Sequence, residues 1–394
     1  MSRQGDIRPG RTITLAVLVV CFMAIPGRLL AAGPAVRVLV AEGRASLTVA
    51  SGGGLTATDA SGRRILARRA GWESLGLLPK GDAVVIRGTG TSAPVIVVWP
   101  GRLPTLDLEG QSYRGRLELR RLNGSLAAVN VVDLEEYLQG VLKDEIPPGW
   151  PTEAARAMAV VARTYAVYQM DQNPGGLFHL RATTASQVYG GATGEDIRTS
   201  SAVQATRGQI LTFAGQPIAA FYHSCSGGAT EDALDVFGPH FDTVIGVRDD
   251  FSLSCPYVLW VQRLSPQQVE QGLQRAGYPV GSLQGIEGLQ RTRTGRILRL
   301  AIHHSGGTLT LEGKRFREAL GTDVIRSTDF EVHADSGGFT FVGRGWGHGV
   351  GLSQWGAKEM AELAYQYRDI LKFYYPLAQI SSLDEPGLTR AWIQ

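Results

Sequence analysis

Residues 134–171 read LEEYLQGVLKDEIPPGWPTEAARAMAVVARTYAVYQMD, and the pattern of the chain changes here. Apolar side chains recur at helical spacing in residues 134–143 and again in residues 152–171, which predicts two helices. Alanines recur every three to four residues in the second helix and form a stripe that allows close packing against a neighbour. Three prolines lie between the helices, so we expect a stiff connection there.

Before this stretch the sequence has a different period. Apolar and polar side chains alternate with a period near two, and glycine-rich or polar turns interrupt them. The alternation predicts strands at residues 37–41, 46–50, 83–87, 94–98, 114–120 and 126–132. No stretch between residues 36 and 133 has helical periodicity, so this part is expected to be antiparallel β-structure.

After the helices the pattern is mixed. It predicts strands at residues 208–213 and 217–223, a helix at 266–276, a hairpin at 297–304 and 308–311, a glycine-dense strand at 339–351, and helices at 353–365 and 367–375. The whole chain is therefore expected to have an α+β fold. Its N-terminal part is β-rich and antiparallel, its central part is helical, and its C-terminal part is mixed.

Residues 1–32 have the order of a secretory signal peptide. Three arginines precede an uncharged apolar run at residues 13–25, and small residues follow. This order predicts export to the periplasm or cell envelope, with cleavage near Ala32. Pro26 interrupts the run too early for a membrane span, and no later segment is apolar enough, so we expect no transmembrane segment in the mature chain.

The charge of the chain depends on this leader. Without residues 1–32 the chain has 35 Lys and Arg against 35 Asp and Glu. A protein with a net charge near zero gives no support to nucleic-acid binding, which uses a basic surface. We therefore expect no nucleic-acid partner.

Glu145 is the first candidate for chemistry. It follows the first predicted helix and precedes Ile146, two prolines and Trp150. Partial burial among these apolar side chains would raise the pKa of its carboxyl, as a proton donor requires. The alternative is an ordinary surface acid at a helix end. Trp150 also has two interpretations, because it can stack on a sugar ring or pack as a staple before the second helix.

The segment G-R-G-W-G-H-G-V-G at residues 343–351 is the second candidate. Glycine occupies every second position, so a strand here would have one face without side chains. Such a face allows close approach of a partner backbone or a saccharide chain, and Arg344, Trp346 and His348 would point to the opposite face. Tight packing within a sheet is the alternative.

The third candidate is the segment F-Y-H-S-C-S-G-G at residues 221–228. Cys225 and Cys255 are an even pair in an exported chain, and an oxidising compartment favours a disulfide between them. His223, Cys225 and Cys255 are the alternative, as a zinc site. We favour the disulfide and expect no cofactor.

These motifs together resemble the stage II sporulation protein D (SpoIID)/LytB family. The resemblance covers nearly the whole mature chain, with motifs in the order that the family has. They are V-D-L-E-E-Y-L-Q-G-V at residues 132–141, E-I-P at 145–147, W-P at 150–151, A-V-V-A-R-T-Y-A at 159–166, Q-V-Y-G-G at 187–191, H-S-C-S-G-G-A-T-E at 223–231 and G-R-G-W-G-H-G-V-G-L-S-Q-W-G-A at 343–357.

The resemblance implies an activity, a catalytic residue and a domain organisation. It implies either lytic transglycosylase action on peptidoglycan strands without stem peptides or stimulation of a cell-wall amidase, and the catalytic glutamate of the family falls on Glu145. Some members bind zinc through a His and two Cys, but Cys255 lies much further along the chain than that pattern has it. The expected domains are a signal peptide at 1–32, a β-rich region at 33–121, a SpoIID/LytB-like glycan-binding and catalytic domain at 122–380 and a tail at 381–394.

A set of polar and aromatic side chains in these motifs is expected to bind the glycan. They are Trp150, Arg163, Tyr165, Gln187, Tyr189, His223, Ser224, Arg344, Trp346, His348 and Gln354. For Arg163 and the tyrosines a structural role in the core is the alternative.

Only Glu145 has a case as a catalytic carboxylate, whereas glycoside hydrolysis ordinarily uses two. A single acid suits a transglycosylase, in which the C6 hydroxyl of N-acetylmuramic acid attacks C1 and gives a 1,6-anhydro end. The competing hypothesis is a non-catalytic protein that binds glycan strands and enhances an amidase.

Overall fold

The computed structural model describes Met1 and residues 33–385. The expected signal peptide and its cleavage point at Ala32 lie outside the described residues. Within the described residues, no helix has the length and apolar character needed to cross a membrane.

The N-terminal part is built of antiparallel strands, as the alternating pattern predicts. Between residues 33 and 133 the structure describes the strands β1 (Ala35–Arg44), β2 (Leu47–Ala50), β3 (Leu55–Asp59), β4 (Ile65–Arg69), β5 (Leu75–Lys80), β6 (Ala83–Ile86), β7 (Ser92–Ala93), β8 (Val95–Pro100), β9 (Thr105–Leu108), β10 (Gln111–Arg114), β11 (Arg116–Leu122) and β12 (Ser125–Asp133). All six predicted strands are confirmed, and no helix is described in this range. The prediction did not include β3, β4, β5, β7 or β9.

Two sheets divide these strands between them. One has the order β10-β9-β2-β5-β6-β7, and the other has β1-β12-β11-β8-β3-β4 with one further strand outside β1. Alternate side chains of both sheets, such as Val38 and Val98 in one and Val49 and Leu77 in the other, are fully buried in one hydrophobic core. The period of two thus gives each sheet one buried face.

The two predicted helices are confirmed as α1 (Leu134–Glu145) and α2 (Thr152–Gln172). The Asp133 carboxylate accepts hydrogen bonds from the backbone N–H groups of Glu135 and Glu136 at 2.8 and 3.3 Å, which fixes the start of α1 directly after β12. Both helices bury apolar side chains in the core that the strands share, so the helical and β-rich parts are packed as one unit.

The remainder of the chain is mixed, which completes the expected α+β fold. Its elements are β13 (Leu180–Arg181), α3 (Ile197–Ala205), β14 (Gln209–Phe213), β15 (Gln216–Pro217), β16 (Tyr222–His223), α4 (Ala233–Phe237), β17 (Leu259–Leu264), α5 (Pro266–Arg275), β18 (Leu283–Arg291), β19 (Ile297–His304), β20 (Gly307–Glu312), α6 (Gly313–Leu320), β21 (Phe330–Asp335), β22 (Gly338–Arg344), β23 (Leu352–Ser353), α7 (Gln354–Glu362), α8 (Tyr367–Tyr374) and β24 (Gln379–Ser382), with 3₁₀ helices at Gly191–Gly194, Pro239–Phe241 and Asp250–Ser254. The strand expected at 217–223 is wrong, because only β15 and β16 form at its ends.

A second hydrophobic cluster lies within β17–β22 and the helices between them. It contains Trp260, Leu300, Phe316 and Phe341, and it is separate from the first core. β24 pairs with β14, and this strand reaches into the expected tail. The boundaries of the expected domains stay a prediction.

Candidate functional site

An open cleft of about 1270 Å³ lies beside the C-terminal end of α1. Part of its lining comes from the first core and carries Glu145, Tyr222 and Gln354. Another part comes from β19, β20 and α6 of the second cluster, with Arg299 and Lys314 among its side chains. A cleft between two separately packed regions is a common place for a ligand site.

Glu145 is the last residue of α1, and the structure directs its carboxylate into this cleft. One oxygen accepts a hydrogen bond from the backbone N–H of Val188 at 3.1 Å. The other accepts one from the side-chain amide of Gln354 at 3.4 Å, and the Tyr222 hydroxyl also donates to the carboxylate. All three donors are uncharged, so they orient the carboxylate without a cation beside it.

The pKa of Glu145 is raised above its ordinary value of 4.5. Burial is the main cause, since it disfavours the charged form, and the hydrogen bonds from Tyr222, Val188 and Gln354 lower the pKa but do not cancel the effect of burial. The side chain thus keeps its proton to a higher pH than an exposed glutamate does. This is the property that a general acid needs.

A chain of hydrogen bonds holds Tyr222 in place. The Tyr137 hydroxyl donates to the Gln187 side-chain oxygen at 3.0 Å, and the Gln187 amide donates to the Tyr222 hydroxyl at 3.3 Å. Gln187 is fully buried, so its expected contact with glycan is wrong. It acts on the site through Tyr222, which the sequence analysis did not select.

Arg163 and Tyr189 are also structural, which corrects two further expected glycan contacts. Arg163 is fully buried and binds both oxygens of Glu135, at 2.8 and 2.7 Å. The Tyr189 hydroxyl donates to the Asn130 side chain at 2.8 Å, and only 5% of the residue is exposed. In both residues the polar group is satisfied inside the core, as buried polar groups generally are.

His223 and His348 lie side by side, with ring centroids 5.5 Å apart. Nδ1 of His223 is 3.1 Å from the carbonyl oxygen of Val350, which can only accept, so the proton of the ring sits on Nδ1. Nε2 of His223 is buried and has no hydrogen-bond partner among the described residues. Burial lowers the pKa of His223 well below its ordinary value and that of His348 to about 3. Both rings are therefore neutral near pH 7.

The glycine-dense strand expected at 339–351 is wrong beyond Arg344. Gly345, Gly347, Gly349 and Gly351 have φ of +71°, +112°, +83° and +70°, a backbone region that side chains disfavour. A Cβ at Gly351 would overlap the backbone of Phe221. Gly345, Gly347 and Gly351 therefore lie in a left-handed loop against residues 221–226 of the same chain. Tight packing within the protein is the interpretation that the structure supports, although the packed segment is a loop and not a strand.

Comparison with known proteins shows the family of this chain. A family model described as stage II sporulation protein matches residues 122–213, and one described as a domain of unknown function matches residues 240–351. The stage II sporulation protein D of Bacillus amyloliquefaciens is 32% identical over 279 residues, which are 65% of this chain and 76% of that protein. This chain belongs to the stage II sporulation protein D family.

Two further relatives of this SpoIID protein differ in how much of their own length is matched. An uncharacterized protein of Brachyspira hyodysenteriae is 33% identical over 269 residues, 68% of this chain and 72% of that protein. The amidase enhancer of Bacillus subtilis is 29% identical over 293 residues, which are 62% of this chain but 40% of the enhancer. The resemblance seen in the motifs is thus confirmed at the level of the family.

Most of the remaining expected glycan-binding residues of this SpoIID protein line the cleft. Tyr165, Ser224, Trp346 and Gln354 do so, together with His223 and His348. Trp150 and Arg344 are absent from the lining that the structure describes. Trp150 packs edge-on against Trp355, with centroids 5.2 Å apart, as a packing role requires. A glycan contact for any of these residues stays a prediction.

The two cysteines of this SpoIID protein are described as buried free thiols. Their side chains hydrogen-bond to each other, and this contact raises the pKa of Cys225 and lowers that of Cys255. The expected disulfide is not formed in this structure, although the thiols are neighbours. Among the described residues, no group of three His, Cys, Asp or Glu side chains is arranged to hold a metal ion, so the alternative zinc site is not assembled.

Proposed function

We propose that this protein is an exported peptidoglycan lytic transglycosylase in which Glu145 is the general acid and base. The observation that carries the proposal is the carboxyl of Glu145 itself. It lies in an open cleft, three uncharged donors orient it, and burial raises its pKa. A carboxyl in this state keeps its proton to a higher pH than an exposed glutamate does, and it has a fixed direction in which to give that proton.

The substrate in this proposal is a glycan strand without stem peptides, and the bond cleaved is the one after N-acetylmuramic acid. Glu145 gives its proton to the glycosidic oxygen while the bond from C1 to that oxygen breaks. The C6 hydroxyl of the same sugar forms a new bond to C1 and returns its proton to Glu145. No water is consumed, and nothing is oxidised or reduced.

The hydrogen bonds of Glu145 support a mechanism with one acid. The hydrogen bonds that the structure describes for this carboxylate come from the Val188 N–H, the Gln354 amide and the Tyr222 hydroxyl, and none involves a second carboxyl group. Its neighbour Asp144 accepts a hydrogen bond from the backbone of Gly190 and does not share a proton with Glu145 through any hydrogen bond that the structure describes. In transglycosylation the C6 hydroxyl replaces the second carboxylate that hydrolysis requires.

The competing function is enhancement of a cell-wall amidase by a glycan-binding protein. It is favoured by the name of one relative, the amidase enhancer of Bacillus subtilis. In that case the cleft would bind the strand, and Glu145 would contribute binding and no chemistry.

Product analysis by mass spectrometry separates the two functions. We expect purified protein to convert peptide-free glycan to fragments with 1,6-anhydro ends, and Glu145→Gln to stop this conversion while it keeps glycan binding. Asp144→Asn is the matched control, because it changes the neighbouring acid and should leave turnover intact. Unchanged strands with retained binding in the wild-type protein would reject the enzyme and support the enhancer.

A further inference from the structure

The outer face of the sheet that contains β1, β12, β11, β8, β3 and β4 carries an uncovered aromatic side chain. Ala57, Val98 and Leu117 lie in the core, so their neighbours along each strand point away from it. Trp99 is one of these neighbours, and 41% of it is exposed. A large exposed ring on a sheet face, away from the cleft, is unexplained by the proposed chemistry.

The strand register places Trp99 in a row with two arginines. Trp99 on β8 pairs with Thr56 on β3, and Thr56 pairs with Arg68 on β4. On the other side the guanidinium of Arg116, from β11, lies 5.1 Å from the centre of the Trp99 ring. Four adjacent strands at their usual spacing give this row a length of roughly 14 Å, which is enough for more than one sugar unit.

Part of the same face is covered, and the part around Trp99 is not. Near β1 and β12, the outward side chains Leu39 and Val129 are buried beneath Leu177 and Phe178. Around Trp99 the side chain of Arg68 is exposed, and Ile65 is 50% exposed. The fold therefore closes one end of this face with its own chain and leaves the other end open.

The outer face as a whole has an excess of positive charge. Glu118 is shared by Arg37, Arg116 and Arg120, at 2.8, 3.5 and 3.3 Å. Arg68 forms no ion pair with any side chain that the structure describes. Three guanidinium groups therefore share one carboxylate, and the fourth has no described acidic partner. The surplus of positive charge allows this face to attract an anion.

The same asymmetry is present in the sequence as a whole. Residues 33–133 have thirteen Lys and Arg against eight Asp and Glu, whereas residues 134–394 have twenty-two against twenty-seven. The β-rich part thus carries a surplus of five positive charges and the remainder a deficit of the same size. The near-zero net charge of the chain without its leader conceals this separation.

We propose that the row Arg116, Trp99, Thr56 and Arg68 is a second binding surface, and that its ligand is an anionic glycan strand. This inference rests on the proposed function, because a peptide-free strand carries one free lactyl carboxylate on each N-acetylmuramic acid. Trp99 stacks on the apolar face of a sugar ring, and the flanking guanidinium groups bind carboxylates on either side. The surface holds the strand while the cleft acts on it elsewhere.

The chemistry of the row favours a glycan over a lipid surface. Interfacial binding uses a broad apolar face buried among acyl chains. Here a single exposed ring lies in a row with two arginines, which suits a sugar with charged substituents.

The test measures binding in the Glu145→Gln protein, so that turnover does not consume the ligand. Co-sedimentation uses insoluble peptide-free glycan, with a neutral polymer of N-acetylglucosamine as the comparison. We expect Trp99→Ala and Arg68→Glu each to weaken binding to the anionic glycan by about tenfold, which corresponds to about 1.4 kcal/mol. Arg68→Glu should also reduce the dependence of binding on salt.

Two controls keep the result specific. Arg368→Glu makes the same charge change at an exposed arginine on α8, and Tyr365→Ala removes an aromatic side chain with the same exposure of 41%. Both should bind as the parent does, and all variants should unfold at the temperature of the parent. Trp99→Phe, which keeps a ring, should retain most of the affinity.

Three outcomes would overturn the inference. They are unchanged binding in both Trp99→Ala and Arg68→Glu, equal binding of the neutral polymer, or stronger Trp99-dependent binding to vesicles of phosphatidylglycerol. Failure of the proposed function is seen separately, as the absence of anhydro products from the wild-type protein, and it leaves the binding measurement valid.

Discussion

Each end of α1 carries a glutamate, buried at the start of the helix and half-buried at its last residue, and the surroundings of the two are opposite. Near the start of the helix Glu135 binds Arg163 through both oxygens, and Arg163 is fully buried. At the last residue Glu145 meets only uncharged donors and lines an open cleft. A charged partner stabilises the ionised form of the first acid, whereas burial without a charged partner raises the pKa of the second acid.

The difference shows that one helix carries two carboxyl groups in opposite electrostatic surroundings. A buried carboxylate beside a guanidinium is compensated in its charged form. A carboxyl that is buried without a cation has its pKa raised, as Glu145 does. Burial by itself does not distinguish a structural acid from a candidate catalytic one. The charge of the group that binds the buried carboxyl makes the distinction.

The largest expected effect is on turnover. Glu145→Gln should lower the rate of anhydro-product formation by about 10²–10⁴-fold, because it removes the proposed acid and base. The variant should bind glycan and give the far-UV circular dichroism of the parent. Residual turnover within tenfold of the parent would mean that Glu145 is not the acid.

The corresponding change at the other end of the helix should affect stability. Glu135→Gln leaves the buried charge of Arg163 without its partner, which should cost about 3–5 kcal/mol in the free energy of unfolding measured with urea. Glu362→Gln is the control, since it breaks an exposed pair with Lys358 on α7 and should cost less than about 1 kcal/mol. Similar losses in the two variants would abolish the contrast between the ends of α1.

A smaller effect is expected when the Tyr222 hydroxyl is removed, which donates to Glu145 and accepts from the Gln187 amide. The Tyr222 hydroxyl lowers the pKa of Glu145, so Tyr222→Phe should raise that pKa further. The basic limb of the rate against pH then moves to higher pH, and the maximal rate falls by about threefold to tenfold. Tyr137→Phe removes a hydroxyl from the same chain without contact to Glu145 and should move the limb less. A limb that stays in place in Tyr222→Phe would contradict the described geometry.

The smallest effect links the raised pKa of Glu145 to stability. Its folded-state pKa lies above its ordinary value of 4.5, so the contribution of its proton to stability is complete below that pH. The contribution is lost as the pH rises through the folded-state pKa. As the pH rises over this range, the parent should therefore lose stability relative to Glu145→Gln, and the difference in free energy of unfolding should shift in favour of the variant. A difference that is constant with pH would show that the carboxyl is not desolvated.

The sequence predicted the secondary structure well wherever the side-chain period was regular. The six predicted strands before residue 134 and the helices α1 and α2 are confirmed, because a period of two or of about 3.6 places one face of each element in the core. The glycine-dense segment at 343–351 was misread because alternation of glycine looks like a strand. Its positive φ values depend on contacts with residues 221–226, which lie far away in the sequence.

The candidate site was predicted in part. Glu145 and several lining residues, such as His223 and Gln354, were selected from motifs. Tyr222 was missed although it lies next to His223 in a quoted motif, because a tyrosine beside a histidine gives no sign of a distant carboxylate. Gln187 was assigned to the glycan although it is fully buried. A motif identifies a position that matters, but it does not say whether the side chain faces the ligand.

The α+β class, the family and the selection of Glu145 follow from the sequence alone, since these depend on local period and on motifs along the chain. The three-dimensional packing was needed to show which acid of α1 is paired with a cation and which lies in a cleft. The difference depends on two hydrogen bonds between residues distant in the sequence. Arg163 binds Glu135, twenty-eight positions away, and Gln354 binds Glu145, 209 positions away. Desolvation and hydrogen bonding act through space, so chain neighbours alone do not fix the pKa of a carboxyl.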